Sequence, residues 1–209
     1  MKIKELVWDM DGTLLDTTEV VPAAFVRAVR ALGGPAIGAA EVVDAYGRGT
    51  PEVILEHFTG RHLEPSETDV YYRELLGVEV APYPGTAEVF DALRARGRPR
   101  VVFTGAGRRA ARILLKAAGL EADVVIGGDQ VARPKPAPDG ILLAAEMLGA
   151  GPAELAYVGD SPLDLRAAKA AGSHGAAAAW GHLYDSHEPA DSVLPGPLRA
   201  LGLLAAGPA

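Results

Sequence analysis

The chain has 209 residues, with 20 Lys and Arg against 27 Asp and Glu, for a formal net charge of −7. At about 150 residues per domain this is one full domain with room for a smaller one, and a net acid lacks the clustered cations on which nucleic-acid binding rests. The absence of cysteine excludes disulfides, thiolate catalysis and cysteine-held zinc or iron–sulfur centres, while 49% hydrophobic residues suffice for a packed core.

No apolar run approaches the ~18 residues of a membrane span. Met1 to Leu6 alternates charged with apolar residues and has no signal-peptide core. The expectation is a cytoplasmic protein with neither membrane nor nucleic-acid partner. Ile3–Trp8 is short, β-leaning and ends at an acidic turn, which predicts a strand. From Thr17 to Tyr83 the pattern is helical only: Val20–Leu32, Ala39–Tyr46, Pro51–Phe58 and Pro65–Leu76, with Gly and Pro between them. After Pro82-Tyr83-Pro84-Gly85 strands and helices alternate. Helices are predicted over Thr86–Ala95, Arg108–Ala118, Pro138–Leu148 and Pro162–Ala171. Strands are predicted over Arg100–Thr104, Asp123–Gly127, Leu155–Gly159 and Gly175–Trp180. Short apolar strands separated by helices imply an α/β fold, a doubly wound parallel sheet of Rossmann-like type. Residues 1–16 and 84–209 form its core. Residues 17–83 are an inserted helical cap, with hinges near Leu14–Thr18 and Val80–Gly85.

Sites in open parallel sheets lie at the carboxyl ends of strands, so the residues that follow each strand carry the argument. Asp9-Met10-Asp11-Gly12-Thr13 follows the first strand. Residues two apart on an extended chain share a face, so both carboxylates can aim into one site, where their repulsion favours a cation or a shared proton. The plainer reading is an Asp-Gly turn. Thr104-Gly105-Ala106 follows the second strand and offers a hydroxyl and free amides to a phosphate oxygen. The same stretch reads Gly105-Ala-Gly107-Arg-Arg-Ala110, a dinucleotide fingerprint whose acidic partner would be Asp123 or Asp129. That fingerprint belongs to a first βαβ unit, however, and this is a later strand. In Arg133-Pro134-Lys135-Pro136-Ala137-Pro138 the prolines limit the wandering of one lysine; a solvated surface lysine is the alternative. Gly159-Asp160-Ser161-Pro162-Leu163-Asp164 closes the set. Ser161 is a natural N-cap, Pro162 a first helical residue, and Asp164 can complete a capping box, which leaves Asp160 aimed into the crevice.

Together these clusters bring Asp9, Asp11, Asp160 and, with them, Asp164 towards one point against a single Lys135. Like charges about 4 Å apart repel by roughly 4 kcal/mol at an effective dielectric of 20, so an anionic substrate needs a counter-ion there. An all-oxygen ligand set selects Mg²⁺. The five histidines are scattered, and surface or packing roles suit them better than metal binding. Trp8 and Trp180 fall on or beside predicted strands and read as core.

With these motifs assembled, the sequence resembles the haloacid dehalogenase-like hydrolase superfamily, in the branch of phosphoglycolate phosphatase and β-phosphoglucomutase. Asp9–Thr17 (DMDGTLLDT), the Thr104 strand end, Arg133–Gly140 (RPKPAPDG) and Gly159–Gly172 (GDSPLDLRAAKAAG) occur in the family's order. The resemblance implies that Asp9 attacks phosphorus and forms an aspartyl-phosphate. Asp11 would protonate the leaving alcohol and then deprotonate water. Thr104 and amides near Gly105 would hold phosphoryl oxygens, and Lys135 would neutralise shared charge. Mg²⁺ would be held by Asp9, the Asp11 carbonyl and Asp160, with Asp164 and Thr13 in support. The implied function is a Mg²⁺-dependent phosphatase of a small phosphorylated metabolite, phosphoglycolate-like. Two departures stand out: Gly105 where Asn is frequent, and Gly159 where the mutase branch carries a second acid. The latter favours hydrolysis over a phosphomutase. Asp11 argues against dehalogenation, and the intact key side chains argue against a non-catalytic binding module. The Gly-flanked Arg48 is the cap residue expected to meet a substrate carboxylate or second phosphate.

Overall fold

The computed structural model describes residues 2–205. Six parallel strands, β1 (Glu5–Trp8), β2 (Val101–Phe103), β3 (Val124–Ile126), β4 (Leu155–Gly159), β5 (His174–Ala178) and β6 (Ser192–Leu194), form one sheet in the order β3-β2-β1-β4-β5-β6. Four helices, α1 (Val20–Ala31), α2 (Ala39–Ala45), α3 (Pro51–Thr59) and α4 (Pro65–Leu76), stand between β1 and the rest. The remaining four are α5 (Thr86–Ala95), α6 (Arg108–Ala117), α7 (Asp139–Leu148) and α8 (Pro162–Ala171).

The strands are buried on both faces because successive side chains point opposite ways. Leu6, Trp8, Val102, Val125, Ala156 and Val158 pack on one face with Val89, Phe90 and Leu93 of α5 and Leu114 of α6. Val7, Val101, Phe103, Ile126, Leu155 and Tyr157 pack on the other with Ile141 and Ala144 of α7 and Ala167 and Ala168 of α8. Each fully buried large side chain contributes about 1.5–3 kcal/mol. The sheet is therefore doubly wound, as the strand–helix alternation predicts.

Helices α1–α4 extend the first core. Phe25 of α1 stacks on Tyr71 of α4 with ring centroids 4.2 Å apart. The group leans on α6 through the Arg109–Asp69 ion pair at 2.5 Å. The two segments that join it to the sheet hydrogen-bond to each other: the Asp16 amide donates to the Ala81 carbonyl at 3.1 Å, and the Tyr83 amide to the Leu14 carbonyl at 2.9 Å. These are the stretches where sequence reading puts hinges.

The largest departures from expectation concern β1, β5 and β6. β1 begins at Glu5, and Ile3 forms only an isolated bridge with Leu204. β5 ends at Ala178, where the chain turns and the Gly181 amide donates to the Ala178 carbonyl at 3.1 Å. β6 is unexpected from sequence. It is a three-residue edge strand, too short for alternation to register.

Candidate active site

In this strand order the chain reverses its direction of winding between β1 and β4, and the crevice outside their carboxyl ends is where such sheets bind ligands. Asp9 follows β1 and Asp160 follows β4; they are only 4% and 1% exposed. Lys135, from the Pro-rich connection between β3 and α7, reaches both sides of the crevice. Its ammonium donates to Asp9 Oδ1 at 2.7 Å, to Asp164 Oδ1 at 2.6 Å and to the Tyr157 hydroxyl at 3.1 Å. The Tyr157 hydroxyl in turn donates to the Phe103 carbonyl at 2.9 Å, so the lysine is held by side chains that are themselves fixed. Asp164 has a double role. Its Oδ2 accepts from the Ser161 amide at 3.0 Å and hydroxyl at 2.7 Å, completing the cap of α8, while Oδ1 takes the lysine.

Asp11 has different partners. Its Oδ1 accepts from Thr17 at 2.7 Å and its Oδ2 from Thr104 at 3.1 Å. The Asp11 carboxylate stays near enough for its charge to raise the Asp9 carboxyl, although burial is the larger cause. Asp9, Asp160 and Asp164 offer carboxylate oxygens within 4.8 Å of one another, whereas the two threonines hold the Asp11 side chain. The Thr104 hydroxyl, read from sequence as a phosphate ligand, spends its proton on Asp11 and accepts from the Ala106 amide at 3.1 Å.

The walls around Asp160 come from glycines. Gly12 adopts φ +81°, and a Cβ there would lie 2.4 Å from Asp160 Oδ2. A Cβ on Gly181 would lie 2.2 Å from the Asp160 Cβ. The loop after β5 completes the enclosure: the Leu183 amide donates to Asp160 Oδ2 at 2.9 Å, and Trp180 Nε1 to the Thr13 carbonyl at 2.9 Å. Thr13 is fully buried, with its hydroxyl 3.5 Å from Asp160 Oδ1. Trp8 is core as expected. Trp180 is half-buried and braces the first motif instead. His182 also comes near, with Nδ1 3.8 Å from Asp160 Oδ2.

Burial pushes the Asp9 carboxyl well above the ordinary range; Lys135 pulls it down, and Asp164 and Asp11 add to the rise. Burial likewise raises Asp160. For Lys135, burial favours the neutral amine, but Asp164 and Asp9 outweigh it and hold the ammonium protonated. One lysine thus faces three buried acids, a site electrostatically suited to a further cation. The donors also fit one: all are hard oxygens. Asp160 Oδ1 has only the long Thr13 contact, whereas both oxygens of Asp164 are occupied by Lys135, Tyr157 and Ser161.

Gly105 is exposed, with open space where its side chain would be, so the lack of Asn there leaves no packing defect. Gly159 is the opposite case. A Cβ would lie 2.5 Å from the Cβ and Cγ of Asp164, leaving no room for a second acid. Gly159→Ala is expected to push Asp164 off Lys135 and cost about 1–3 kcal/mol, read as a lowered denaturation midpoint. An unchanged midpoint would contradict this packing. Arg48 ends a 3₁₀ turn on the α2–α3 connection and is exposed, without a hydrogen bond among the described residues. The acids of the dinucleotide alternative have other partners: Asp123 clamps Arg100 at 2.8 Å, and Asp129 accepts the Arg108 amide at 2.8 Å. Sequence reading missed Thr17, Tyr157 and the Trp180–Leu183 loop. The loop too follows a strand, but the alanine run before it does not mark where that strand ends.

The sequence model of the haloacid dehalogenase-like hydrolase family matches residues 3–172. The chain belongs to this family. It is 31% identical over 210 residues to a phosphoglycolate phosphatase of Escherichia coli strain K12, covering 87% of this chain and 83% of that one. It is 32% identical over 186 residues to a phosphoglycolate phosphatase of Nitrosospira multiformis, covering 83% and 82%. Among solved structures, CbbY from Rhodobacter sphaeroides in complex with phosphate superposes with a TM-score of 0.74 at 27% identity, covering 93% and 94%. This hydrolase is thus one of the family's phosphatases by its relatives. Among the described residues no helix is long and apolar enough to cross a membrane.

Proposed function

We propose that this hydrolase is a Mg²⁺-dependent phosphatase of a small phosphate monoester, acting through an aspartyl-phosphate on Asp9. The observation that carries the reading is the division of labour between the two motif acids. Asp9 is buried against Lys135 among Asp160 and Asp164, whereas Asp11 is held by Thr17 and Thr104. That difference suits one acid to nucleophilic attack and the other to proton transfer.

In the first step an Asp9 oxygen attacks phosphorus as the P–O bond to the leaving group breaks, and protonated Asp11 gives its proton to the departing alkoxide. Lys135 donates to the nucleophile and stabilises charge passing between it and the phosphoryl group. In the second step Asp11, now a carboxylate, takes a proton from water as the water oxygen attacks phosphorus, releasing phosphate and restoring Asp9. The Asp9 and Asp160 carboxylates and the Asp11 carbonyl would hold Mg²⁺, with Asp164 and Thr13 supporting them. When bound, Mg²⁺ supplies the charge neutralisation that lets a phosphate enter and polarises its oxygens.

Residues 1–16 and 84–209 act as the catalytic core in this reading, and 17–83 as a cap over the crevice. Tyr46 and Tyr71 of the insertion face Asp11 closely enough for its charge to raise both hydroxyls, although burial is the larger cause. The phosphoglycolate phosphatases among the relatives make 2-phosphoglycolate the first substrate to try. The crowded Gly159 favours hydrolysis over transfer to a second substrate hydroxyl. Arg48, exposed on its turn, is the insertion's candidate for meeting an anionic leaving group.

Phosphate release across a panel of small monoesters, 2-phosphoglycolate included, tests the reading. Turnover is expected with Mg²⁺ and loss of nearly all of it in EDTA, restored by added Mg²⁺. Full activity in EDTA would overturn metal dependence, and retention of the phosphoryl group in an isomeric product would favour a mutase.

A further inference from the structure

A cluster of arginines lies where the helical insertion meets the sheet domain. A cavity of about 570 Å³ opens between α4 and α6, lined among others by Tyr72, Arg73, Arg108, Arg109, Arg112 and Asp129. Four guanidinium groups around one cavity are unexpected in a chain of net charge −7. Among the described residues one of them forms an ion pair: Arg109 pairs with Asp69 at 2.5 Å and lies over the Tyr72 ring at 4.0 Å. Among the described residues Arg73 and Arg112 form no ion pair, and the buried Arg108 Nε has no hydrogen-bond partner. The acid in the wall, Asp129, already accepts the Arg108 amide.

Guanidinium groups bind phosphoryl oxygens in bidentate fashion. Here the free ones come from two helices, Arg73 from α4 and Arg108 and Arg112 from α6, so the matching ligand carries more than one phosphoryl group. We propose that this groove binds a small di- or polyphosphate anion, which bridges the insertion and the sheet domain. The groove has none of Asp9, Asp11, Lys135, Asp160 and Asp164 in its lining and is opposite to their cluster in charge. It therefore needs no metal, whereas the crevice without a cation repels anions.

That contrast supplies the test, with inorganic pyrophosphate as the probe and EDTA in the buffer. Isothermal titration is expected to give saturable binding of one pyrophosphate per chain, weakened by added salt because the exposed charges are screened. Arg73→Gln with Arg112→Gln should weaken it at least about tenfold, a loss of roughly 1.4 kcal/mol. The thermal midpoint and monoester hydrolysis should stay unchanged, since neither arginine touches the acidic crevice. Absence of saturation up to millimolar pyrophosphate, binding that appears only with Mg²⁺, or binding undiminished in the double variant would each overturn the proposal. Failure here leaves the phosphatase reading intact, because binding is measured under conditions in which that activity is expected to be lost.

Discussion

Asp9→Asn should abolish phosphate release, with a fall on the order of 10⁴-fold or more, while the protein stays folded. At 1.36 kcal/mol per factor of ten, that loss is about 5 kcal/mol of transition-state stabilisation. Asparagine keeps the size of Asp9 and an oxygen that Lys135 can still reach, so geometry survives and only the nucleophile is lost. The expected effect on stability has a definite sign. Burial holds the Asp9 carboxyl well above its ordinary pKa. An acid whose pKa is raised on folding destabilises the native state wherever it is ionised above its unfolded value. A neutral isostere removes that penalty, so in metal-free neutral buffer the thermal midpoint of Asp9→Asn should equal or exceed that of the wild type. With Mg²⁺ present the order should reverse, because the variant has lost a ligand. Residual activity within tenfold of wild type would remove Asp9 from the chemistry.

Lys135→Met should cost both stability and rate. The ammonium answers Asp9 at 2.7 Å and Asp164 at 2.6 Å, and Asp164 is 1% exposed. Removing one partner of a buried ion pair costs about 3–5 kcal/mol, since the remaining charge is left uncompensated. A further loss of about 10²–10³ in kcat is expected from the missing donor at the phosphoryl group. Lys135→Arg should recover little of either, because the planar guanidinium cannot take the place of a compact ammonium between three fixed oxygens. Chemical denaturation checks the first effect and single-turnover kinetics the second. A stability within about 1 kcal/mol of wild type would mean that Asp9 and Asp164 do not depend on this lysine.

Asp9, Asp160 and Lys135 were legible in the sequence because each follows a short apolar strand, and the strand-end rule reads such positions without knowledge of packing. Asp164 was legible as a helix cap and as one of the acids facing Lys135, but its direct ion pair with the lysine was not. That contact depends on where the Pro-rich connection lands. Asp11 was legible from the spacing of two in the first motif, but its hydrogen bonds to Thr17 and Thr104 were not, because they depend on how the insertion and the end of β2 pack against it. Tyr157 was hidden because a strand interior reads as core, and only the face assignment of β4 brings its hydroxyl to Lys135. The loop over Asp160 was lost for a different reason. The run Ala176–Ala179 gives no strand-end signal, and alanine is a poor strand former. Packing nevertheless fixes β5 there, with Ala176 to Ala178 at most 1% exposed. The strand was drawn two residues too long, to Trp180, and Gly181 to Leu183 were never read as a strand end. Arg48, by contrast, was selected for its flanking glycines, and the structure leaves it exposed.

The most direct test of the account is the binding of Mg²⁺ itself, titrated calorimetrically against wild type and Asp160→Asn. The account predicts a single site in the wild type, lost or weakened at least about 10-fold in the variant, with the fold intact by circular dichroism. Equal affinity in the two proteins would contradict it, because the acids at the ends of β1 and β4 would then not share an ion.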